Sequence, residues 1–272
     1  MLRLENVSAG YGKVPVISNI NAEFEKGRIT TIIGPNGSGK STLLKAIVSL
    51  CEVQQGTVYL KGENREKIGD RKFAQQVSYL PQSHTAGAIT VGRMVLHGRF
   101  PYLSYPRHYG KEDYECCRRA MERIGILSLR DKKVDELSGG QRQKVYLAMA
   151  LSGETDVFLF DEPTTYLDIR YQLELLHLME QLKEQGKTVV TVLHDLDTAM
   201  RVSDSILVMQ NGKIVEKGTA QEIQSSGIIE KVFQITAQSF VDHEGKKHFY
   251  FEQKTSLPPS FNIIQKGSEN DG

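Results

Sequence analysis

Apolar and polar residues alternate along residues 3–11 and 19–25, as they do in half-buried β-strands. Residues 28–33 form a β-branched run that ends at Gly34, and residues 42–49 then show helical spacing. The same patterns predict more elements further along the chain. The remaining predicted strands are 55–62, 77–80, 157–160, 187–193, 205–209 and 213–217, and the predicted helices are 111–125, 139–152, 171–185 and 195–202.

Strands that alternate with helices predict an α/β fold with a mainly parallel central sheet. The two early alternating segments predict an antiparallel β subdomain at the N-terminus. A stretch at about 85–155 interrupts the alternation and predicts an inserted helical subdomain. Within it, residues 84–110 are rich in glycine and proline, and we predict them to be irregular.

The C-terminal part of the sequence carries two hairpin signals and a polar tail. Asn211-Gly212 favours a two-residue hairpin turn. Glu244-Gly245 indicates a second hairpin, between residues 240–241 and 248–252. Residues 253–272 become polar, and such a tail is either functional or flexible; we predict a flexible one.

Composition and charge are those of an ordinary globular protein, with 39% hydrophobic and 25% charged residues. The net charge of +1 gives no field for nucleic acid, and Arg118-Arg119 is interpreted as a solvated helix face. No apolar run reaches the roughly 18–20 residues that span a bilayer. The first residues lack a signal-peptide core, so we expect a cytosolic protein. The three cysteines show no metal-ligand spacing and are expected to be reduced.

Residues 34–41 carry the first candidate chemistry, because they fit the phosphate-binding pattern G-x-x-x-x-G-K-S. The glycines let backbone N–H groups surround phosphate oxygens. Lys40 would place a positive charge at the β- and γ-phosphates, and the Ser41 hydroxyl would be a ligand of Mg²⁺. The strand before the loop and the helix after it are the context that this pattern requires.

Polar side chains follow three of the predicted strands. Asp161 and Glu162 come directly after the apolar strand 157–160; we predict Asp161 as a metal ligand and Glu162 as a group that acts on the attacking water. His194 follows strand 187–193, and Gln82 follows strand 77–80. The carboxyl ends of parallel strands share the edge where ligands bind. Taken singly, each of these residues could also be structural.

Residues 137–141, Leu-Ser-Gly-Gly-Gln, form a second candidate anion site. Gly139 and Gly140 precede a predicted helix and leave backbone N–H groups bare, and a helix N-terminus attracts anions. Ser138 adds a hydroxyl donor. One chain with two phosphate-recognition devices needs an explanation.

The order of these motifs resembles the ATP-binding subunit of ABC transporters, over about residues 1–240. The matching motifs are Walker A, the glutamine loop, the signature, Walker B, the aspartate loop ending at Asp168 and the switch histidine. The resemblance implies a nucleotide-binding domain over residues 1–252, with ATP and Mg²⁺ as cofactors, and Ser41, Gln82 and Asp161 at the metal. The implied nucleotide-binding residues are Tyr11, which would stack on adenine, and Gly34, Pro35, Asn36, Gly37, Ser38, Gly39, Lys40, Ser41 and Thr42.

The resemblance also explains the second anion site. In this family two nucleotide-binding domains pair head to tail, and the signature of one covers the γ-phosphate held by the other. It implies that Glu162 is the catalytic base, that His194 positions the γ-phosphate and the water, and that Gln82 links the site to the membrane partner. The implied trans-acting residues are Leu137, Ser138, Gly139, Gly140 and Gln141.

Within the family, three stretches resemble the branch of importers that take up iron-siderophores, haem and vitamin B12. They are residues 90–102, 148–151 and 161–169. Residues 97–102 lie in the region that docks onto the permease in this family. The alternative explanation is that these three stretches reflect common ancestry and are unrelated to the transported substrate. Residues 152–154 differ from the sequence that is usual at this position in the importer branch. This difference weakens the substrate assignment and does not affect the ATPase assignment.

The resemblance implies a dimer at the cytoplasmic face of the membrane, bound to permease subunits and served indirectly by an extracytoplasmic solute-binding protein. Two alternatives stay open. One is an ATPase for another solute, such as a free metal ion, or an exporter. The other is a soluble ABC-type ATPase without a permease. Two features count against this alternative: the sequence has no long coiled coil between the Walker motifs, and it has one ATPase domain, not two.

Overall fold

Three β-sheets and the helices around them organise the chain in the computed structural model, which describes residues 1–82, 87–164, 167–243, 245 and 247–253. The strands are β1 (Leu2–Gly10), β2 (Ile17–Phe24), β3 (Ile29–Ile33), β4 (Glu52–Leu60), β5 (Glu63–Asn64), β6 (Val77–Leu80), β7 (Val157–Asp161), β8 (Thr188–Val192), β9 (Ser205–Gln210), β10 (Lys213–Gly218), β11 (Ile235–Val241) and β12 (Lys247–Gln253). The α-helices are α1 (Lys40–Ile47), α2 (Arg65–Ile68), α3 (Asp70–Ala74), α4 (Val91–Leu96), α5 (Lys111–Arg123), α6 (Gly139–Ser152), α7 (Ile169–Glu184), α8 (Leu196–Val202), α9 (Ala220–Ser225) and α10 (Ile228–Phe233).

The larger sheet has the strand order β10-β9-β3-β8-β7-β6, and all of its neighbours are parallel except β9 and β10. The second sheet, β2-β1-β4-β5, is antiparallel, and β11 and β12 form a third, two-stranded antiparallel sheet. The predicted fold class is therefore confirmed: a mainly parallel core with an antiparallel N-terminal sheet. Because β3, β6, β7 and β8 run in one direction, the residues that follow them meet at one edge.

Burial divides along the two faces of the central sheet. One apolar cluster joins the antiparallel sheet and α1 to that sheet, with Phe24, Leu43 and Ile47 fully buried. Each such side chain stabilises the fold by about 1.5–3 kcal/mol. A second cluster packs α6 and α7 against the opposite face, and a third packs α8, α9 and α10 beside it. Together they hold α1 and the loop that precedes it in a fixed place.

Residues between β6 and β7 form the helical insertion, with α4, α5 and α6 and a 3₁₀-helix at His97–Tyr102. The prediction that 84–110 is irregular is wrong for residues 91–102. Thr90 caps α4 by accepting from the Arg93 N–H at 3.4 Å, and Gly98 and Pro101 lie in the 3₁₀-helix. Glycine and proline mask a helical signal in so short a stretch. Residues 83–86 lie outside the described part.

The C-terminal elements show what the hydrophobic pattern missed. Six-residue helices such as α9 and α10 are too short for a periodic signal, and neither was predicted. The two hairpins are confirmed, with Asn211 and Gly212 at φ 50° and 73° in the turn between β9 and β10. The tail predicted from residue 253 lies outside the described residues except for Gln253, the last residue of β12. No helix in the described part of the chain is long and apolar enough to cross a bilayer.

Candidate active site

The loop after β3 is shaped by glycines that no other residue could replace. A Cβ on Gly34 would lie 2.2 Å from the Met209 carbonyl oxygen, and one on Gly39 would lie 2.6 Å from the Ile17 side chain. Gly39 also has φ 98°, in the left-handed region, where it serves as the N-cap of α1. The loop is thereby wrapped against the sheet and leads into the helix N-terminus.

Lys40 is buried at the first position of α1, and its ammonium lies inside the loop. Its Nζ donates to the carbonyl oxygens of Gly34 at 2.8 Å and Pro35 at 3.0 Å. Burial lowers the pKa of Lys40, and the carboxylates of Glu162 and Asp161 partly offset that effect. A cation held in this way by the loop itself is positioned to meet an anion in the loop.

The remaining loop residues differ in exposure. Asn36 and Gly37 are exposed, whereas Ser38 and Thr42 are buried. Within the described part of the chain, Ser38 Oγ has no hydrogen-bond partner. A buried hydroxyl without a partner is rare, and it fits a loop whose polar groups bind a ligand.

Asp161 ends β7 and faces Ser41 at the start of α1. The Ser41 hydroxyl donates to Asp161 Oδ1 at 2.8 Å, and the Tyr79 hydroxyl donates to Oδ2 at 3.1 Å. Burial raises the pKa of Asp161, whereas the hydrogen bonds from Ser41 and Tyr79 lower it in part. A hydroxyl and a carboxylate are side chains that Mg²⁺ prefers, so this pair fits a magnesium site.

Glu162 points away from Asp161 because the backbone turns sharply between them. Its φ of 52° is left-handed, a conformation that costs a non-glycine residue about 1–2 kcal/mol. Gln82 Nε2 donates to Glu162 Oε2, and His194 Nε2 lies 2.6 Å from Oε1. The three side chains predicted from separate strand ends therefore lie together. Gln82 contacts Glu162 and makes no hydrogen bond to Asp161 in the described part of the chain.

Tyr11 lies beside the loop with 61% of its surface exposed. Lys45 Nζ lies 5.8 Å from the centre of its ring. An exposed ring at this place is available for stacking on a base.

The signature residues lie apart from this cluster, at the N-terminus of α6. Ser138 Oγ accepts from the Gln141 N–H, and Gln141 Oε1 accepts from the Ser138 N–H, both at 3.3 Å, so the pair forms a capping box. Ser138 and Gly139 are exposed, and Leu137 is buried beneath them. Among the described residues, no hydrogen bond joins residues 137–141 to residues 34–42. The second anion site therefore faces solvent.

Asp168 is the N-cap of α7, where its Oδ1 accepts from the Tyr171 N–H at 3.0 Å. This contact is local, and the preceding residues 165 and 166 of the aspartate loop lie outside the described part. In the described structure Asp168 therefore has a capping role.

Two residues near the site were missed by the sequence analysis. Tyr79 donates a hydrogen bond to Asp161. Lys45 lies 5.8 Å from the centre of the Tyr11 ring, and its positive charge lowers the pKa of Asp161. The signal for Tyr79 was available: it lies two residues after Val77, and alternation places both on the face of β6 that packs toward α1. Lys45, in a helix after a phosphate loop, has no distinguishing pattern.

Comparison with known proteins decides the family. The family model described as "ABC transporter" matches residues 17–165. The chain is 40% identical to the iron(3+)-hydroxamate import ATP-binding protein FhuC of Bacillus subtilis (strain 168), over 90% of this chain and 92% of that protein. This chain is an ATP-binding protein of the ABC transporter family. It binds ATP and hydrolyses it to drive transport, as members of this family do.

Other relatives of this ABC ATPase give the same result. It is 42% identical to the ferric enterobactin transport ATP-binding protein FepC of Escherichia coli (strain K12), over 85% of this chain and 86% of that protein. Its fold matches a metal-chelate type ABC transporter in an inward-facing conformation, with a TM-score of 0.78, 26% identity and coverage of 92% and 95% of the two chains. A dimeric bacterial ABC transporter cassette matches with a TM-score of 0.73, 27% identity and coverage of 81% and 99%.

Proposed function

We propose that this ABC ATPase powers the import of an iron-siderophore or a related metal chelate. The observation that carries the proposal is the similarity, near 40% over most of the chain, to ATP-binding proteins named for import of ferric hydroxamates and ferric enterobactin. The solute itself would be selected by a permease and an external binding protein. Those partners place the ATPase peripherally at the cytoplasmic face of the membrane.

In the proposed site, ATP binds to residues 34–42 through its phosphates. Backbone N–H groups and the Lys40 ammonium neutralise phosphate charge, the Ser38 hydroxyl gains a partner, and Tyr11 stacks on the base. Stacking of this kind contributes about 1–3 kcal/mol per base. The ring is exposed and its contact carries little base selectivity.

Ser41 and Asp161 would hold Mg²⁺, with the Gln82 amide as a third candidate ligand after it leaves Glu162. Their oxygens are the hard donors that this ion takes. When bound, the ion neutralises charge on the phosphate oxygens. The direct 2.8 Å contact between Ser41 and Asp161 already brings the two donors together.

Glu162 is the proposed general base. It accepts a proton from the attacking water while the water oxygen bonds to the γ-phosphorus and the bond to the β–γ bridging oxygen breaks. His194, bonded to Glu162 on one side, would orient the carboxylate and contact the γ-phosphate. The strained φ of Glu162 keeps this carboxylate separate from the metal ligand.

The exposed N-terminus of α6 is proposed to complete the site of a second copy. Ser138 and Gly139 present a hydroxyl and backbone N–H groups to solvent, and a helix N-terminus favours the γ-phosphate charge. The dimeric cassette of similar fold supports this arrangement. The working unit would be a homodimer with two shared ATP sites.

Residues 90–103, here called the docking segment, are proposed to contact the permease. They border a groove of about 820 Å³ between α4 and α5, which Arg93, His97, Tyr114 and Arg118 help to line. Exchange of this segment for that of a paralogue should uncouple transport and spare basal ATP hydrolysis. Loss of both would show instead that the segment is structural.

A deletion strain of the native host tests the proposed function directly. Uptake of ⁵⁵Fe would be measured with three ferric complexes: a hydroxamate, a catecholate and citrate. Uptake of vitamin B12 and of haem would be measured in parallel. We expect loss of uptake for one ferric chelate, restored by this chain and not by its K40A variant. Uptake of every ferric chelate at the wild-type rate would overturn the proposal, and a defect in B12, haem or another metal would reassign the solute.

A further inference from the structure

Arg99 is the most deeply buried arginine of the docking segment, with 5% of its surface exposed. Arginine is almost never buried unless it is paired, because an isolated charge loses its hydration. Its position in the short 3₁₀-helix after α4 turns the side chain inward, away from the groove surface. Little of its side chain is therefore left at the surface for a permease to contact.

The partners of Arg99 come from two other helices. Its Nε donates to Asp113 Oδ1 on α5 at 2.9 Å, and its Nη1 donates to the Ser152 carbonyl oxygen, the last residue of α6, at 3.3 Å. The Glu154 carboxylate lies 3.8 Å away, and the guanidinium stacks on the Tyr102 ring at 3.9 Å. One planar group thus joins the docking segment, α5 and the end of α6.

The C-terminal end of α6 is bound to the docking segment at several further points. The Tyr102 hydroxyl donates to the Gly153 carbonyl oxygen at 2.6 Å, and Ser152 Oγ lies 2.9 Å from the Val95 carbonyl oxygen. A Cβ on Gly98 would lie 2.1 Å from the Met149 carbonyl oxygen. The last carbonyls of a helix lack partners within it. Here Arg99 donates to the carbonyl oxygen of Ser152 and places its positive charge at the C-terminal end of the helix dipole, and Tyr102 donates to the carbonyl oxygen of the next residue, Gly153.

Helix α6 carries the signature at its other end. Its 14 residues span about 20 Å at 1.5 Å per residue. We propose that Arg99 is a positioning residue that fixes the docking segment to the C-terminal end of α6, so that the segment and the signature move as one body. This inference rests on the proposed dimer and permease contact and adds the residue that connects them.

The test compares R99Q with the matched control R119Q, both in the full-length chain carrying E162Q. Arg119 is also bonded to Glu154, at 2.8 Å, but it is half exposed on α5 and makes no hydrogen bond to the docking segment within the described residues. Hydrogen exchange would be followed by mass spectrometry in peptides covering 34–42, 91–103 and 137–152, with and without ATP and Mg²⁺. The variant R99K keeps the positive charge and loses the planar guanidinium group. It is included as the conservative change.

Without ATP, we expect residues 95–103 and the end of α6 to exchange about tenfold faster in R99Q than in R119Q, with R99K between them. With ATP, R119Q should show protection at 137–141 together with a change at 91–103. In R99Q the change at 91–103 should fall about fivefold or more, while protection at 34–42 persists. That pattern separates a connecting role from general loosening.

Equal exchange at 95–103 in R99Q and R119Q would overturn the assignment, and so would faster exchange in R99Q that extends equally to 34–42. An ATP response at 91–103 that survives R99Q would also overturn it. Failure of the proposed function is recognised separately. In that case the parent protein shows no ATP response at 137–141, or the host strain shows no uptake defect, and the ATP-free comparison still decides whether Arg99 fixes the segment.

Discussion

Asp161 and Glu162 are neighbours in sequence with different surroundings. Asp161 continues β7 and meets two hydroxyl groups, whereas the left-handed turn at Glu162 directs that carboxylate to Gln82 and His194. One backbone turn thereby separates the proposed metal ligand from the proposed base, although the two residues are adjacent. The pair is the part of the site most open to test by single substitutions.

For the E162Q variant we expect ATP affinity within about threefold of the wild type and a loss of at least about a hundredfold in hydrolysis, because the amide keeps the contacts but cannot take a proton. ATP should then hold the protein as a dimer. Filter-binding, phosphate release and size-exclusion chromatography with ATP measure the three effects. Hydrolysis near the wild-type rate would show that Glu162 is not the base.

Tyr79 provides a pH-dependent test of the metal position. Its hydroxyl lowers the pKa of Asp161, which burial raises. In the Y79F variant the pKa of Asp161 should therefore be higher still. As the pH falls, the carboxylate should be protonated, and metal binding lost, at a higher pH than in the wild type. The acid limb of the kcat/KM profile should move to higher pH, and hydrolysis at alkaline pH should change little.

The same substitution should cost about 1.5–3 kcal/mol of stability at alkaline pH, above the raised pKa of folded Asp161. The cost should shrink at acid pH, as the pH falls through that folded-state pKa, because the Tyr79 hydroxyl then donates to a neutral carboxyl. Denaturant unfolding of Y79F at the two pH values measures this, with Y59F on the antiparallel sheet as the control. An unshifted acid limb would contradict the role of Tyr79.

What the sequence could predict at this scale depended on local pattern. The loop 34–41 and the carboxylates after β7 have fixed spacing and strand context, so their location followed directly. The contact between Tyr79 and Asp161 joins residues 82 positions apart, and the burial of Arg99 depends on α5 and α6. Contacts of this kind become visible only when the fold is known.

At the scale of elements, α6 combines two tasks in one helix. Its N-terminal cap is Ser138, which also belongs to the signature. At its C-terminal end the carbonyl oxygens of Ser152 and Gly153 accept hydrogen bonds from the docking segment. Near the middle, Lys144 Nζ reaches Glu174 on α7 at 2.9 Å and lies 3.7 Å from the Tyr171 ring centre. The helix is thus anchored to the core and to the docking segment.

Two substitutions of Ser138 separate its capping role from the proposed contact with ATP. S138A should lower stability by about 1 kcal/mol, since the cap is lost, and should weaken ATP-driven dimerisation. S138D should restore stability, because aspartate caps helices well and its charge suits the N-terminus. Its carboxylate should nevertheless repel the γ-phosphate and prevent dimerisation.

Thermal unfolding and chromatography with ATP in an E162Q background measure the two effects of Ser138. T219A, which removes the cap of α9 and has no signature role, is the control for the loss of a cap in S138A. Dimerisation of S138D at the wild-type level would show that the hydroxyl does not face ATP.

At the scale of the whole molecule, the question is whether each ATP site is shared between two copies. The loop 34–42 and the signature have no hydrogen bond between them in the described structure, and residues 138–139 face solvent. A shared site predicts that two inactive variants restore each other. K40A lacks a competent loop and keeps its signature, whereas S138D keeps its loop and lacks a competent signature.

When K40A and S138D are mixed in equal amounts, each mixed dimer has one intact site out of two, whereas a dimer of two identical variants has none. Hydrolysis should therefore recover in part, to at most about half of the wild-type rate, if the two sites act independently in a symmetric dimer. A mixture of S138D with the double variant K40A/S138D is the control, because it contains intact loops but no intact signature. Recovery in the first mixture and none in the second requires a site built from two chains. Absence of recovery in both, with dimerisation of the wild type intact, would place the loop and the signature that serve one ATP within a single chain.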